Sequence, residues 1–226
     1  VCVDESNGYV AAQRNGAQNM NAGGTTFNVS TLNSSYDIIL TKYRKDGMFV
    51  TAKAIGGCTN VDYARGLEVK NGKLVMFGAF TTGTCTPIVD MNGGAPSVTI
   101  TSNISTKKDG FLALYDTNLV CQWAKAIGGP DVSDEVWGGT FDNTGNFLVS
   151  GQFCGTNTNF NIGGTGTYTA SSGSASVSDY YYASYNITTG NCNWVYRGGA
   201  ATSHEIAYDI TTDSIGRIWT TGYTYN

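Results

Sequence analysis

The chain has 226 residues, a formal net charge of −4 and a pI near 4.8, and only 13% of its residues are charged. Its 13 basic residues are scattered, which excludes the electrostatic footprint of a nucleic-acid partner. No apolar run approaches the roughly 18 residues of a membrane-spanning helix, so membrane insertion is not expected either.

Val1-Cys2-Val3-Asp4-Glu5 opens the chain as a strand, without an initiator Met or a signal peptide. Ile218-Trp219-Thr220-Thr221-Gly222-Tyr223 near the end is also strand-like. We expect a mature product or a piece of a longer polypeptide. Glu5-Ser6-Asn7-Gly8-Tyr9-Val10-Ala11-Ala12 reads as strand, Gly-closed turn and strand. An insert follows, with Gly23-Gly24 ahead of the alternating run Thr25-Thr26-Phe27-Asn28-Val29. Asp37-Ile38-Ile39-Leu40-Thr41-Lys42-Tyr43 then opens a second hairpin that ends at Gly56-Gly57.

The same succession recurs. Val69 to Phe80 forms the first hairpin of the next copy, Gly93-Gly94 marks its insert, and Asp109 to Gly128-Gly129 its second hairpin. Asp142 to Phe153, Gly163-Gly164 and Asp179 to Gly198-Gly199 make the third, and Asp213 to Tyr223 repeats the first hairpin alone. The strands alternate apolar and polar residues between Gly and Asn punctuation, and no stretch has a 3.6-residue period. Phe147-Leu148-Val149 and Leu74-Val75-Met76-Phe77 are apolar on consecutive residues, which predicts burial on both faces.

Tandem units of four antiparallel strands predict an all-β, β-propeller-type repeat fold. The blades number about three and a half, and each full one carries an insert hairpin outside its sheet. The divisions are a half-blade at 1–14 with its insert and second hairpin to 57, repeats at 58–129 and 130–199, and a half-blade at 200–226. A chain with this count does not close a ring by itself, and its end strands would be open edges.

The six cysteines are Cys2, Cys58, Cys85, Cys121, Cys154 and Cys192, with no CxxC and no nearby His at zinc spacing. An even count in a Ser/Thr/Asn-rich chain predicts disulfides and an oxidising compartment. Cys58–Cys85 is the pair we favour, because both follow a strand end on the same rim of a blade. Sequons begin at Asn28, Asn33, Asn103 and Asn186. Three fall in inserts and Asn186 in a hairpin turn, all exposed places for a glycan.

Asp142 to Phe153 carries an Asp-x-x-Gly-x-(apolar)-x-x-x-Gly-x-(aromatic) pattern, and Asp109 to Gly129 carries Asp-x-(apolar)-x-(apolar)-x-Tyr with a Trp-x-x-x-x-Gly-Gly ending. With the insert Gly-Gly between them, these segments resemble the SBBP-type β-propeller repeats of secreted and cell-surface proteins, over nearly the whole chain. The resemblance implies a propeller fold and an extracellular setting, and no reaction. There are departures. Trp194 stands one residue closer to its Gly-Gly than Trp123, and Val50 or Thr51 takes that place in the first copy. The acidic position five residues after Gly-Gly is Asp62, then Asp134, then His204.

His204 is the only histidine, so triad chemistry would need it with Ser203, Asp209 or Cys192, and no Gly-x-Ser-x-Gly elbow exists. We read it as a structural hydrogen-bonding position. Asp131, Asp134 and Glu135 cluster, and Glu205 is read as the counterpart of Glu135. They offer acid pairs for glycoside hydrolysis or Ca²⁺, against which stands an ordinary solvated loop. Asp37, Asp109 and Asp179 are expected to cap backbone turns. Tyr180, Tyr181 and Trp194 are candidate ligand or interface residues. The expectation is a non-enzymatic extracellular structural or adhesive module without catalytic residues, metal or cofactor. Its partners would be copies of itself, neighbouring surface proteins or glycans. A lectin-like propeller is the alternative, and a fragment of a propeller hydrolase or lyase is third.

Overall fold

Short alternating runs closed by Asx and Gly turns fold, among the described residues of the computed structural model, into twenty strands and no helix. The described residues are 1–21, 23–30, 36–57, 61–82, 89–102, 107–130 and 133–225. The first blade contains β1 (Cys2–Val3), β2 (Asn7–Arg14), the insert pair β3 (Gln18–Asn19) and β4 (Asn28–Val29), then β5 (Asp37–Arg44) and β6 (Phe49–Ile55). The second contains β7 (Tyr63–Lys70), β8 (Lys73–Phe80), the insert pair β9 (Val89–Asp90) and β10 (Thr99–Ile100), then β11 (Asp109–Asp116) and β12 (Cys121–Ile127). The third contains β13 (Glu135–Phe141), β14 (Phe147–Cys154), the insert pair β15 (Thr158–Asn159) and β16 (Thr169–Ala170), then β17 (Ser178–Tyr185) and β18 (Cys192–Gly198). A final hairpin is made of β19 (Glu205–Thr212) and β20 (Ile218–Thr224).

Each blade is a four-stranded antiparallel sheet in chain order, β1-β2-β5-β6, β7-β8-β11-β12 and β13-β14-β17-β18. The inserts form separate two-stranded sheets, and the sheets do not close a ring. Side-chain oxygens close the turns. Asp142 accepts the Thr144 and Asn146 N–H groups, both at 2.8 Å, and Asp213 accepts those of Ile215 and Arg217. Asp116 and Asn186 do the same in the second hairpins of their blades.

Successive side chains of a strand point to opposite faces, and here both faces are covered. Leu74 and Met76 face the first blade, in a cluster with Tyr9, Ile38, Leu40, Phe111 and Tyr115. Val75 and Phe77 face the third, with Leu112, Phe147, Val149, Tyr181 and Tyr185. A fully buried residue of this size contributes about 1.5–3 kcal/mol, so stacking of blades outweighs any one turn.

Register aligns the copies better than counting residues does. One extra residue bulges from each inner strand after the first blade: Arg65, Trp137 and Tyr208. A glycine lies beside each bulge, with Ala64 opposite Gly78, Val136 opposite Gly151 and Ala207 opposite Gly222. A Cβ on any of these glycines would press into the carbonyl oxygen of Tyr63, Glu135 or Ile206, respectively, at under 3.0 Å. On the outer strands, Thr51, Trp123 and Trp194 are equivalent, opposite Lys42, Leu114 and Ser184. Trp194 is therefore in place, and the Gly-Gly pair is what has slipped. Gly198 stands where Ile55 and Ile127 stand, and Gly199 takes the place of Gly56 and Gly128.

No disulfide joins any two described cysteines, which corrects the expectation of a general disulfide framework. Cys121 and Cys192 are buried free thiols, each opening the outer strand of its blade. They mark the same position in adjacent sheets, which pack about 10 Å apart, beyond the roughly 7 Å between Cα atoms that a disulfide spans. The Cys58–Cys85 pair lies outside the described residues.

Candidate functional site

The polar residues that recur in every copy converge on the blade junctions. Counted from the bulges, Asp62, Asp134 and Glu205 are equivalent. Asp134 is buried and accepts the Cys154 N–H at 2.9 Å and the Gly129 N–H at 3.0 Å. Asp62 accepts the Thr81 N–H at 3.3 Å. Glu205 accepts the Ala200 N–H at 3.4 Å and the hydroxyls of Ser203 and Thr224. This corrects the sequence alignment of the third copy, where the acid is Glu205 and not His204. Glu135 is matched by Tyr63 and Ile206, not by Glu205. His204 is exposed, and its Nδ1 accepts the Ser178 N–H at 3.1 Å. The Ser203 hydroxyl donates to Glu205, so it is not aligned on an imidazole.

Asp37, Asp109 and Asp179 are buried beside the glycine that ends each blade. A Cβ at Gly56, Gly128 or Gly199 would fall within 3.0 Å of their carboxylates. The recurring Asp and Gly are thus one packing unit. Asp179 also accepts the Arg197 guanidinium at 3.2 Å and the Gly173 N–H at 3.1 Å.

Asp62 is buried on the Thr81 and Gly57 N–H groups, and no hydrogen bond of full strength reaches its Oδ2. Burial pushes its carboxyl up to about 7, the Thr81 N–H opposes that rise and Asp37 adds to it. A carboxyl raised in the folded state favours folding while it is protonated. That stability is full below the ordinary value near 3.8 and is lost as pH rises toward about 7. Asp62→Asn is therefore expected to raise stability by roughly 2–4 kcal/mol at pH 8 and by little at pH 4. Urea midpoints of both proteins at the two pH values check this, and equal midpoints at pH 8 refute it.

The inserts are held by a second repeated device. The Tyr43, Tyr115 and Tyr185 hydroxyls donate to the carbonyls of Met20, Met91 and Phe160, at 3.3, 2.7 and 2.7 Å. Asn92 and Asn161 each bridge insert and blade. Their Nδ2 groups donate to Pro96 and Thr165 carbonyls, and their Oδ1 atoms accept the Cys121 and Cys192 N–H groups, both at 3.0 Å. The signal was present as Asn19-Met20-Asn21, Asp90-Met91-Asn92 and Asn159-Phe160-Asn161 ahead of each insert Gly-Gly.

The densest charged cluster among the described residues joins the inner strands β7 and β13 to the residue before β11. Glu135 is buried and binds Arg65 at 2.5 Å and Lys108 at 3.0 Å, one oxygen each. The Arg65 guanidinium lies 3.8 Å over the Trp137 ring, and Trp137 meets Tyr208 edge-on at 5.4 Å. With both oxygens committed to cations, Glu135 is poorly placed to accept a proton from a substrate. Burial pushes Cys121 and Cys192 up to about 12 and Cys2 to about 11, so these thiols stay protonated at neutral pH. Among the described residues, no group of three or more His, Cys, Asp or Glu side chains is placed to hold a metal ion.

The sequence-predicted contact residues separate. Tyr181 is fully buried against Phe153 and Phe160, which corrects its reading as a ligand or interface residue. It points into the blade 2–blade 3 core because strand alternation turns it away from Tyr180 and Tyr182. Tyr180 is half-buried, and Trp194 is 38% exposed. Asn28 is exposed on β4, and Asn186 is half-buried with Oδ1 spent on its turn. Asn33, Asn103 and Asp131 lie outside the described residues. Compared with protein-family models and with curated proteins, the chain gives no match.

Proposed function

We propose that this chain is a non-enzymatic structural or adhesive propeller-type module that works outside the cell and presents its blades to other proteins. The observation that carries the reading is the use made of the recurring residues. The junction acids, the insert tyrosines and the bridging asparagines are all spent on holding blades and inserts together. An extracellular setting is supported by the exposed sequon at Asn28 and by the Ser/Thr/Asn-rich, charge-poor composition.

The test is turnover. The purified chain is incubated with panels of polysaccharides, esters and peptides, and no product above the no-protein control is expected. Turnover abolished by Glu135→Gln or His204→Ala would overturn the proposal. A carbohydrate-binding reading draws on one specific observation, the parallel Tyr182–Tyr196 pair at 6.3 Å beside Tyr180 and Trp194. A glycan-array signal lost in Trp194→Ala would favour it.

A further inference from the structure

The outer strand of each blade grips the blade that follows. Lys53 on β6 donates to Asn92 Oδ1 in the second insert at 2.9 Å. Its equivalent on β12, Lys125, donates to the Gly163 carbonyl in the third insert at 3.0 Å. Trp123, also on β12, donates its Nε1–H to the Ile187 carbonyl at 3.0 Å, in the turn between β17 and β18. On the neighbouring β11, Gly110 and Leu112 are buried, Gly110 beside Val136 and Leu112 in the core shared with the third blade.

On the third blade the same four positions are Tyr180, Tyr182, Trp194 and Tyr196. Trp194 is 38% exposed and Tyr196 61%, and Tyr182 stacks parallel on Tyr196. A cleft of about 290 Å³ opens beside them, lined by Tyr180, Tyr182, Glu205, Thr221 and Tyr223. The backbone tells the same story. β2, β8 and β14 each pair on both sides, whereas β20 pairs with β19 alone among the described strands and is exposed along its length.

We propose that this face docks an extended β-hairpin, which pairs with the free edge of β20 and completes a fourth four-stranded sheet. The inference builds on the structural reading above by naming the kind of partner. Continuity with the blade 2–blade 3 interface defines its chemistry. The strand beside β20 carries an aromatic, a small residue and a tyrosine on alternate positions, as Phe111, Ala113 and Tyr115 do on β11 and Tyr181, Ala183 and Tyr185 on β17. A polar turn follows, and one of its carbonyls accepts the Trp194 Nε1–H. Main-chain pairing supplies affinity and the alternate side chains supply register.

The probe is a synthetic peptide of residues 107–130, the β11–β12 hairpin of this chain, added to the full chain. Hydrogen exchange of the Ile218–Thr224 amides is expected to slow at least tenfold at saturation. Trp194→Ala should weaken binding about tenfold, the loss of one buried hydrogen bond and its ring contact. A peptide with Phe111, Ala113 and Tyr115 changed to Ser should give no protection. The same hairpin fused after residue 226 through a Gly/Ser linker raises its local concentration to about the millimolar range. If neither free nor fused hairpin slows exchange, the proposal is overturned. Slow exchange at β20 without peptide, together with a dimer by sedimentation, assigns the face to a second copy and overturns it as well. Both outcomes are independent of the turnover assay, so the scaffold reading can stand or fall separately.

Discussion

Tyr181→Ala is expected to lower the free energy of unfolding by about 3–5 kcal/mol, the range for truncating a buried aromatic. The ring is fully buried and sits 4.9 Å from Phe160 and 6.2 Å from Phe153, both edge-on. It joins the third blade to its own insert and to the face of the second blade. Its hydroxyl donates to the Glu135 carbonyl at 3.3 Å, so Tyr181→Phe should cost only about 1 kcal/mol. Tyr180→Ala, one residue away on the open face, should cost little. Urea denaturation of the three variants gives the order directly. If Tyr181→Ala does not fold, Tyr181→Leu supplies an intermediate loss. A Tyr181→Ala protein as stable as the parent would remove Tyr181 from the core.

Gly151→Ala is the second large effect, expected at about 3 kcal/mol or more from overpacking. Gly151 lies in β14, paired with β13 on one side and β17 on the other, so neither neighbour can move away freely. The added methyl meets the Glu135 carbonyl and the Tyr181 ring, each at under 3.0 Å. The cost is steric, because Gly151 is not among the glycines of positive φ. Gly145 makes the contrast. It has φ +88° in an open turn with nothing within 4 Å of a new Cβ, so Gly145→Ala should cost about 1 kcal/mol of backbone strain alone. Gly222→Ala tests the same clash in β20, whose second edge is unpaired among the described strands, and should be milder. Equal losses at Gly145 and Gly151 in thermal melts would refute the steric account.

Much of the architecture was legible because it rests on local patterns. Alternation, Asx turns and insert Gly-Gly pairs each occupy a few consecutive residues, and their order gave the four-stranded unit and the extra hairpin. Equivalence between copies was less legible, because a residue added in a bulge or a turn leaves no sequence mark. Trp137 and Tyr208 read as ordinary strand residues, and only pairing reveals them as the extra ones. One residue more in the β17–β18 turn shifted the Gly-Gly pair, and counting from that pair assigned His204 the place held by Glu205. The tyrosines at 180, 181, 182 and 185 also concealed their two inward members, Tyr181 and Tyr185, since each residue is apolar enough for a core and polar enough for a surface. The bonds from Tyr43, Tyr115 and Tyr185 to their inserts span 23 to 25 residues, beyond any local pattern.

The latches between blades have a direction, since most of their side-chain donors sit on the earlier blade. Gln13, Lys53, Lys70, Trp123, Lys125 and Asn143 each donate to a group in the next one. A growing chain therefore makes each grip before the thing to be gripped exists. Every blade waits with its outer strand bare until the following insert and turn arrive. Trimming from either end breaks the latch at the new boundary, but the remnant differs: from the C-terminus bare Lys and Trp donors are left, from the N-terminus bare carbonyl and amide oxygens.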